Sequence, residues 1–354
     1  MLDLDFFKRK KIFITGHTGF KGSWLAYILY LAGARITGYS LKPKNKNDNF
    51  HLLKLNKKII NYYGDVRDEK KLNKAVKKCN PDIIFHLAAQ ALVKESYISP
   101  KFTFSTNMLG TLNILDIIVN QRSLKSAVII TSDKCYKNFE RKSGYSENDE
   151  IGGEDPYSAS KAAAENIFFS YSKSFFKNKN NLGLASVRAG NVIGGGDWSK
   201  DRIIPDLVKS IINNKKFIIR NPKSTRPWQH IFDLLNGYLI LSKKIYGSNK
   251  FNGSWNFGPD KKHITVGEVI ANFIKIIKIN KKFYNQNNKK IKETKLLSLN
   301  INKSKKFLKW KPKLSTYQTL KITAEWYLCY IKKKKNIQNF SKKQVENFFY
   351  DRRS

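Results

Sequence analysis

Cysteine is scarce in this 354-residue chain: there are three, Cys79, Cys135 and Cys329, widely spaced and without a CxxC pair. An odd, dispersed set builds neither a disulfide framework nor a cysteine zinc site, and it predicts reduced thiols. Five scattered histidines, with no carboxylates at ligand spacing, give no reason to expect a metal centre. Nine prolines and twenty glycines exclude collagen-like and low-complexity chains. Long apolar runs are missing too, since the longest nearly apolar stretch, Leu25 to Ala34, is too short to span a bilayer. The start, Met1-Leu2-Asp3-Leu4-Asp5, is acidic where a signal peptide is basic. The expectation is a soluble, cytoplasmic protein with no membrane partner.

Acidic residues are the other deficit: 27 against 67 Lys+Arg, a formal charge of +40. The first meaning of such a charge is a partner that carries phosphates. Yet 56 of the basic residues are Lys and only 11 are Arg, dispersed along the chain except for Lys332 to Lys335. A nucleic-acid groove favours clustered Arg for bidentate contacts. The chain is also rich in Asn, Ile, Phe and Tyr, all residues with AT-rich codons, so codon bias accounts for the charge and no nucleic-acid partner is expected. What is present is ample apolar material, 41% hydrophobic and 13% aromatic residues, which excludes a disordered polyelectrolyte. At roughly 150 residues per domain the length allows one large or two moderate domains.

Apolar runs and helical periodicities alternate. Lys11 to Thr15 reads as a buried strand, and the spacing of Leu25, Ile28, Leu29 and Ala32 predicts an amphipathic helix over Ser23 to Ala34. Strands follow at Ala34 to Ser40, Asp82 to Leu87, Ala127 to Thr131 and Leu182 to Val187, with helices over Asn107 to Asn120 and Tyr157 to Ser170. This rhythm predicts an α/β fold with a doubly wound parallel sheet of Rossmann type. After Arg188 the pattern becomes irregular, which predicts a smaller mixed domain.

Gly16-His-Thr-Gly19-Phe-Lys-Gly22 lies between the first strand and the first helix. Glycines there permit a tight turn and bring backbone N–H groups close to a phosphate at a helix N-terminus, so Gly16, His17, Thr18, Gly19, Phe20, Lys21 and Gly22 are dinucleotide-binding candidates. Later strand ends add Ser40, Asp65, Val66, Leu87, Ala88 and Ala89. Tyr39-Ser40-Leu41-Lys42 lacks the acidic residue that usually holds a ribose, so the strand end itself leaves NAD and NADP open. Tyr157 and Lys161 are spaced i, i+4, which puts phenol and ammonium on one helix face, where the cation is expected to lower the tyrosine pKa. Ser132, after the Ala127 to Thr131 strand, is placed to donate to the same substrate oxygen.

These motifs resemble the extended short-chain dehydrogenase/reductase family. Gly16 to Trp24, Thr131-Ser-Asp-Lys-Cys-Tyr136, Gly152 to Lys161, Val187 to Trp198 and Arg226-Pro-Trp-Gln-His230 are closely similar to its CDP-glucose 4,6-dehydratase branch, from about residue 8 to about residue 330. The resemblance implies NAD as cofactor and CDP-glucose as substrate. Oxidation at C4 makes the C5 proton acidic, water leaves across C5 and C6, and the hydride returns to C6. Tyr157 and Lys161 serve the oxidation, with Ser132 beside them. Asp133 and Lys134 stand where better-known sugar dehydratases carry Asp-Glu, so Asp133 is the expected acid, while Lys134 is either the C5 base or a solvated lysine. Asn191, Arg202 and Arg226 are the expected substrate ligands, the arginines for the diphosphate. The chain thus divides into an NAD-binding Rossmann domain over 1–187 to which later segments return, a sugar-nucleotide domain over 188–330, and a basic tail over 331–354, in a homo-oligomer. A nucleotide-sugar 4-epimerase on the same fold is the nearest alternative, and a non-catalytic nucleic-acid-binding protein a remote one.

Overall fold

Seven strands form one parallel sheet: β1 (Lys11–Thr15), β2 (Arg35–Ser40), β3 (Ile60–Tyr63), β4 (Ile83–His86), β5 (Ser126–Ile130), β6 (Gly183–Ala189) and β7 (Gly253–Phe257). Their order is β7-β6-β5-β4-β1-β2-β3, and every pairing is parallel. The structure is a computed structural model and describes residues 3–43, 45–219, 221–260, 264–279, 283–285, 296–332 and 336–350. After β1 the chain builds outward to β3, then returns to the other side of β1 with β4. That reversal opens a crevice at the C-terminal ends of β1 and β4, where open α/β sheets bind ligands.

The strands read as continuous apolar runs because both faces are covered. Ile12, Ile14, Ile83, Phe85 and Val128 pack into one core with α1 (Phe20–Leu31), whereas Phe13, Ile84, Ala127 and Ile129 pack into the other with α2 (Glu69–Cys79), α3 (Gly110–Val119) and α4 (Pro156–Ser174). The first core continues into α5 (Ile203–Ile212), α6 (Ile231–Lys244), α7 (Val266–Ile277), α8 (Thr316–Lys332) and α9 (Ile337–Phe349). Burying one such Leu, Ile or Phe side chain stabilises by about 1.5–3 kcal/mol.

The segment expected as a basic tail from 331 is, within the described residues, part of this core. Ile337, Ser341, Val345 and Phe348 form one buried stripe on α9. Phe348 and Phe349 meet Phe232 at ring-centroid distances of 5.6 and 6.0 Å, and the Trp326 indole donates to Ser341 at 2.9 Å. Lysines dominate the composition there and mask the helical spacing. Lys333 to Lys335 of the basic run lie outside the described residues. The expectation about long apolar segments also changes: the continuous helix Pro100–Val119 is long and apolar enough to cross a membrane by composition, although half of it is buried inside the protein. Its small polar residues, such as Thr103, Ser105 and Asn107, interrupt the run in sequence without adding charge.

Candidate active site

The turn after β1 needs its glycines. Gly16 has φ +74°, and a Cβ there would stand 2.8 Å from the Ala88 nitrogen; one on Gly22 would stand 2.1 Å from the Gly16 carbonyl. Gly19 caps α1 with no side-chain bond to the first turn, and a Cβ on it meets nothing nearer than 3.4 Å. Close-packed behind and open in front, the loop fits a dinucleotide phosphate held by the α1 N-terminus. The Thr18 hydroxyl bonds the Ser40 hydroxyl at 2.8 Å, joining the loop to the end of β2. Leu87 and Ala88 donate their N–H groups to the Thr15 hydroxyl, both at 3.1 Å, which ties the β4 end to β1. Ala89 follows, partly exposed.

Not every candidate side chain faces this crevice. His17 is fully buried, with Nε2 3.0 Å from the Asn61 amide oxygen and the ring against Gly38. Burial pulls its pKa down to about 4, so it packs as a neutral ring. Val66 is buried against Gly110. Asp65 is held below the usual carboxylate range by the Arg67 guanidinium, which donates from Nη2 at 2.7 Å and Nε at 3.0 Å. The two residues edge a shallow groove of about 880 Å³ with Phe102, Ser105 and Leu109.

The C-terminal end of β5 carries the second cluster. Ser132 is extended, and its hydroxyl accepts from the Lys134 N–H at 3.2 Å, starting a short 3₁₀ turn over Asp133–Cys135. The same hydroxyl donates to Asp133 Oδ1 at 3.0 Å. Opposite, α4 starts at Pro156 behind Asp155, whose carboxylate accepts from the Ser158 N–H at 3.0 Å. That start puts Tyr157 and Lys161 on the buried face, 8% and 5% exposed. Ser132, Asp133, Lys134 and Tyr157 line one cavity of about 420 Å³ together with Asn191, Arg202 and Arg226.

Burial dominates the electrostatics. Tyr157 is pushed up to about 12 despite the Ser132 hydroxyl, so the expected lowering by Lys161 is not what the protein alone produces. Lys161 is pulled down to about 8 by burial, with Cys135 and Glu165 opposing. Asp133 is raised by burial against the pull of Lys134, Ser132 and Lys21, which favours its protonated form. Gly190 leaves room for it: a Cβ there would stand 2.8 Å from Asp133 Oδ2.

Several site residues escaped the sequence reading. Asp197 is buried, 3.9 Å from Arg202 Nε, and its carbonyl accepts from the Tyr327 hydroxyl at 2.6 Å; only its place in the Gly194-Gly-Gly-Asp-Trp198 motif hinted at it. Trp228, in the Arg226 to His230 motif, is 8% exposed and lines the cavity. Beneath the cavity, Arg188 pairs with Glu165 at 2.7 Å, both almost fully buried, and Glu165 also accepts from Thr131 and Ser186. Lys21, expected with the cofactor loop, lines the same cavity as Asp133 and Tyr157.

Residues 13–323 match the family model described as GDP-mannose 4,6 dehydratase. The chain is 41% identical over 338 residues to a CDP-glucose 4,6-dehydratase of Salmonella typhimurium, covering 94% of each chain. It is 32% identical to a dTDP-D-glucose 4,6-dehydratase of Dictyostelium discoideum, over 70% of this chain and 59% of the relative. Among solved structures, a UDP-glucose 4-epimerase of Thermotoga maritima with UDP-glucose gives a TM-score of 0.78 at 21% identity, covering 89% of this chain and 98% of its own. A dTDP-glucose 4,6-dehydratase of Bacillus anthracis in complex with NAD gives 0.75 at 22%, covering 89% and 96%. Epimerase and dehydratase therefore share this fold, and the long match at 41% identity shows the narrower relationship: the chain belongs to the nucleotide-sugar dehydratases of the extended short-chain dehydrogenase/reductase family.

Proposed function

We propose that this chain is a CDP-glucose 4,6-dehydratase that forms CDP-4-dehydro-6-deoxyglucose and water. The observation that carries the reading is one cavity holding Asp133 and Lys134 beside Ser132 and Tyr157. A 4-epimerase needs the tyrosine alone, whereas loss of water across C5 and C6 also needs an acid and a base.

Gly16, Gly19 and Gly22 with the α1 N-terminus would hold the cofactor, and the Thr18–Ser40 pair, Leu87, Ala88 and Asp65 would border it. Bound there, NAD would supply a reversible hydride acceptor for the C4 oxidation and the C6 reduction, so the reaction would need no external reductant. Tyr157 takes the C4 hydroxyl proton, Ser132 bonds the same oxygen, and the buried Lys161 ammonium favours the tyrosinate electrostatically. Once C4 is a ketone, Lys134 removes the C5 proton and Asp133 protonates the departing C6 hydroxyl, which leaves as water. C5 regains a proton when C6 is reduced, so the product is a 4-keto-6-deoxy sugar. The raised pKa of Asp133 suits the donor. Arg202 and Arg226 bind the diphosphate with charge-assisted bonds and Asn191 contacts the sugar.

The relative of Salmonella typhimurium supports cytidine as the base. The free cysteines agree with a reducing cytoplasm. Exposed Tyr97, Ile98, Leu109, Phe169 and Phe175 supply apolar surface for a homo-oligomer. The deciding experiment incubates purified protein with CDP-, UDP-, GDP- and dTDP-glucose and assays for a 4-keto-6-deoxy product. The expected product forms from CDP-glucose; an epimerised hexose without water loss overturns the reading.

A further inference from the structure

Lys21 is the second residue of α1, in the loop expected to serve the cofactor, yet its side chain lines the cavity of Asp133, Tyr157, Asn191 and Arg202. The charges that act on it are Arg202, Asp133, Lys161 and Asp197. Among the described residues it makes no ion pair or hydrogen bond through its ammonium. Lys21 is partly exposed, so an ammonium that finds no acceptor in the protein faces the cavity ready to bond a ligand's oxygen. Its pKa is pulled down to about 8, by burial first and then by the like charge of Arg202.

The surrounding charges indicate the ligand's sign. The charges that act on Lys21 are the cations Arg202 and Lys161 and the carboxylates Asp133 and Asp197. The cavity's other carboxylates are engaged elsewhere: Asp155 caps α4, Asp201 pairs with Lys94 and Asp206 with Lys209. Around Lys21 itself three cations therefore meet two carboxylates, a local excess complementary to a diphosphate, which carries about two negative charges near neutral pH. Lys21 interacts with both Arg202, the proposed diphosphate ligand, and Asp133, the proposed acid for the sugar.

We propose that Lys21 is a substrate ligand, its ammonium bonding the sugar-side phosphate of the nucleotide sugar next to Arg202. The Gly16 to Gly22 loop then presents backbone N–H groups to the cofactor and a side chain to the substrate. This rests on the nucleotide-sugar reading, so wild-type protein is first titrated with CDP-glucose; absence of binding would count against that reading, not against Lys21.

The test is Lys21→Met, which keeps the length of the side chain and removes its charge. Affinity for CDP-glucose and for CDP should fall at least tenfold, affinity for cytidine should stay within twofold, and affinity for NAD, titrated alone, should stay within twofold. Lys21→Arg should recover most of the CDP affinity. A loss of NAD affinity as large as the loss for CDP-glucose, a loss confined to CDP-glucose and absent with CDP, or no change in any titration overturns the proposal. Should the methionine variant fail to fold, Lys21→Gln read in the same titrations decides.

Discussion

Tyr157 shows two opposed effects acting on one oxygen. Burial raises its pKa to about 12, and only hydrogen bonding and positive charge act to lower it. Tyr157→Phe removes that oxygen and little packing, so turnover should fall by about 10²–10⁴ with an unchanged melting temperature, read by a keto-sugar assay beside a melt. Unimpaired turnover would remove Tyr157 from its role. Lys161 gives the pH dependence. Its ammonium is present below about pH 8 and lost above it. If the charged form supports the tyrosinate, kcat/KM should decline as pH rises through about 8. Lys21 titrates in the same range, so the profile is best measured in Lys21→Arg; a flat profile from pH 7 to 10 would contradict the role. Gly19 gives a third test, since a Cβ there has room within the protein. Gly19→Val should fold normally and weaken NAD binding at least tenfold by crowding the phosphates. Unchanged NAD affinity in a titration would take the loop out of the cofactor site.

Between elements, the Glu165–Arg188 pair joins α4 to β6 beneath the cavity of Ser132 and Tyr157. Arg188 also donates to the Tyr136 hydroxyl at 2.8 Å, and Tyr136 in turn donates to Asn256 on β7 at 2.8 Å. Glu165→Ala leaves a buried guanidinium unpaired, which should cost about 3–5 kcal/mol in denaturant unfolding. The double variant Glu165→Ala, Arg188→Met should recover part of it; a loss below about 1 kcal/mol in the single variant would mean that water replaces the carboxylate. The spacing of Tyr157, Lys161 and Glu165, each four residues on, put this acid on the same buried face of α4, so a signal existed. Its partner, a lone Arg in the apolar run of β6, gave none. Strands β1, β4, β5 and β6 were legible because two covered faces leave unbroken apolar runs, and α4 because Asp155-Pro156 marks its start. Where three-dimensional packing decides, the sequence was silent: the inward turn of His17, the side to which Lys21 points, and the stripe of α9 beneath its lysines.

For the whole molecule the open question is what a charge of +40 does. The described ion pairs are mostly half-exposed lysine contacts, such as Lys71–Asp68 and Lys305–Asp260, each worth about 0–1 kcal/mol. With 27 acidic residues against 67 basic ones, most lysines are left over after all such pairing. The surplus must repel itself and attract any polyanion through counterion release, without demanding a particular sequence. The molecule should therefore bind random DNA weakly at low salt and lose that binding steeply toward physiological salt, because each phosphate contact returns condensed counterions to solution. Nucleotide-sugar turnover should fall far less over the same range, since the Lys161 ammonium is buried and poorly screened. Both are measurable on one preparation, by a DNA titration and a keto-sugar assay across a salt series. DNA binding that stays tight and sequence-selective at physiological salt, with no keto-sugar formed from any nucleotide-glucose, would make the charge the function and the cavity its relic.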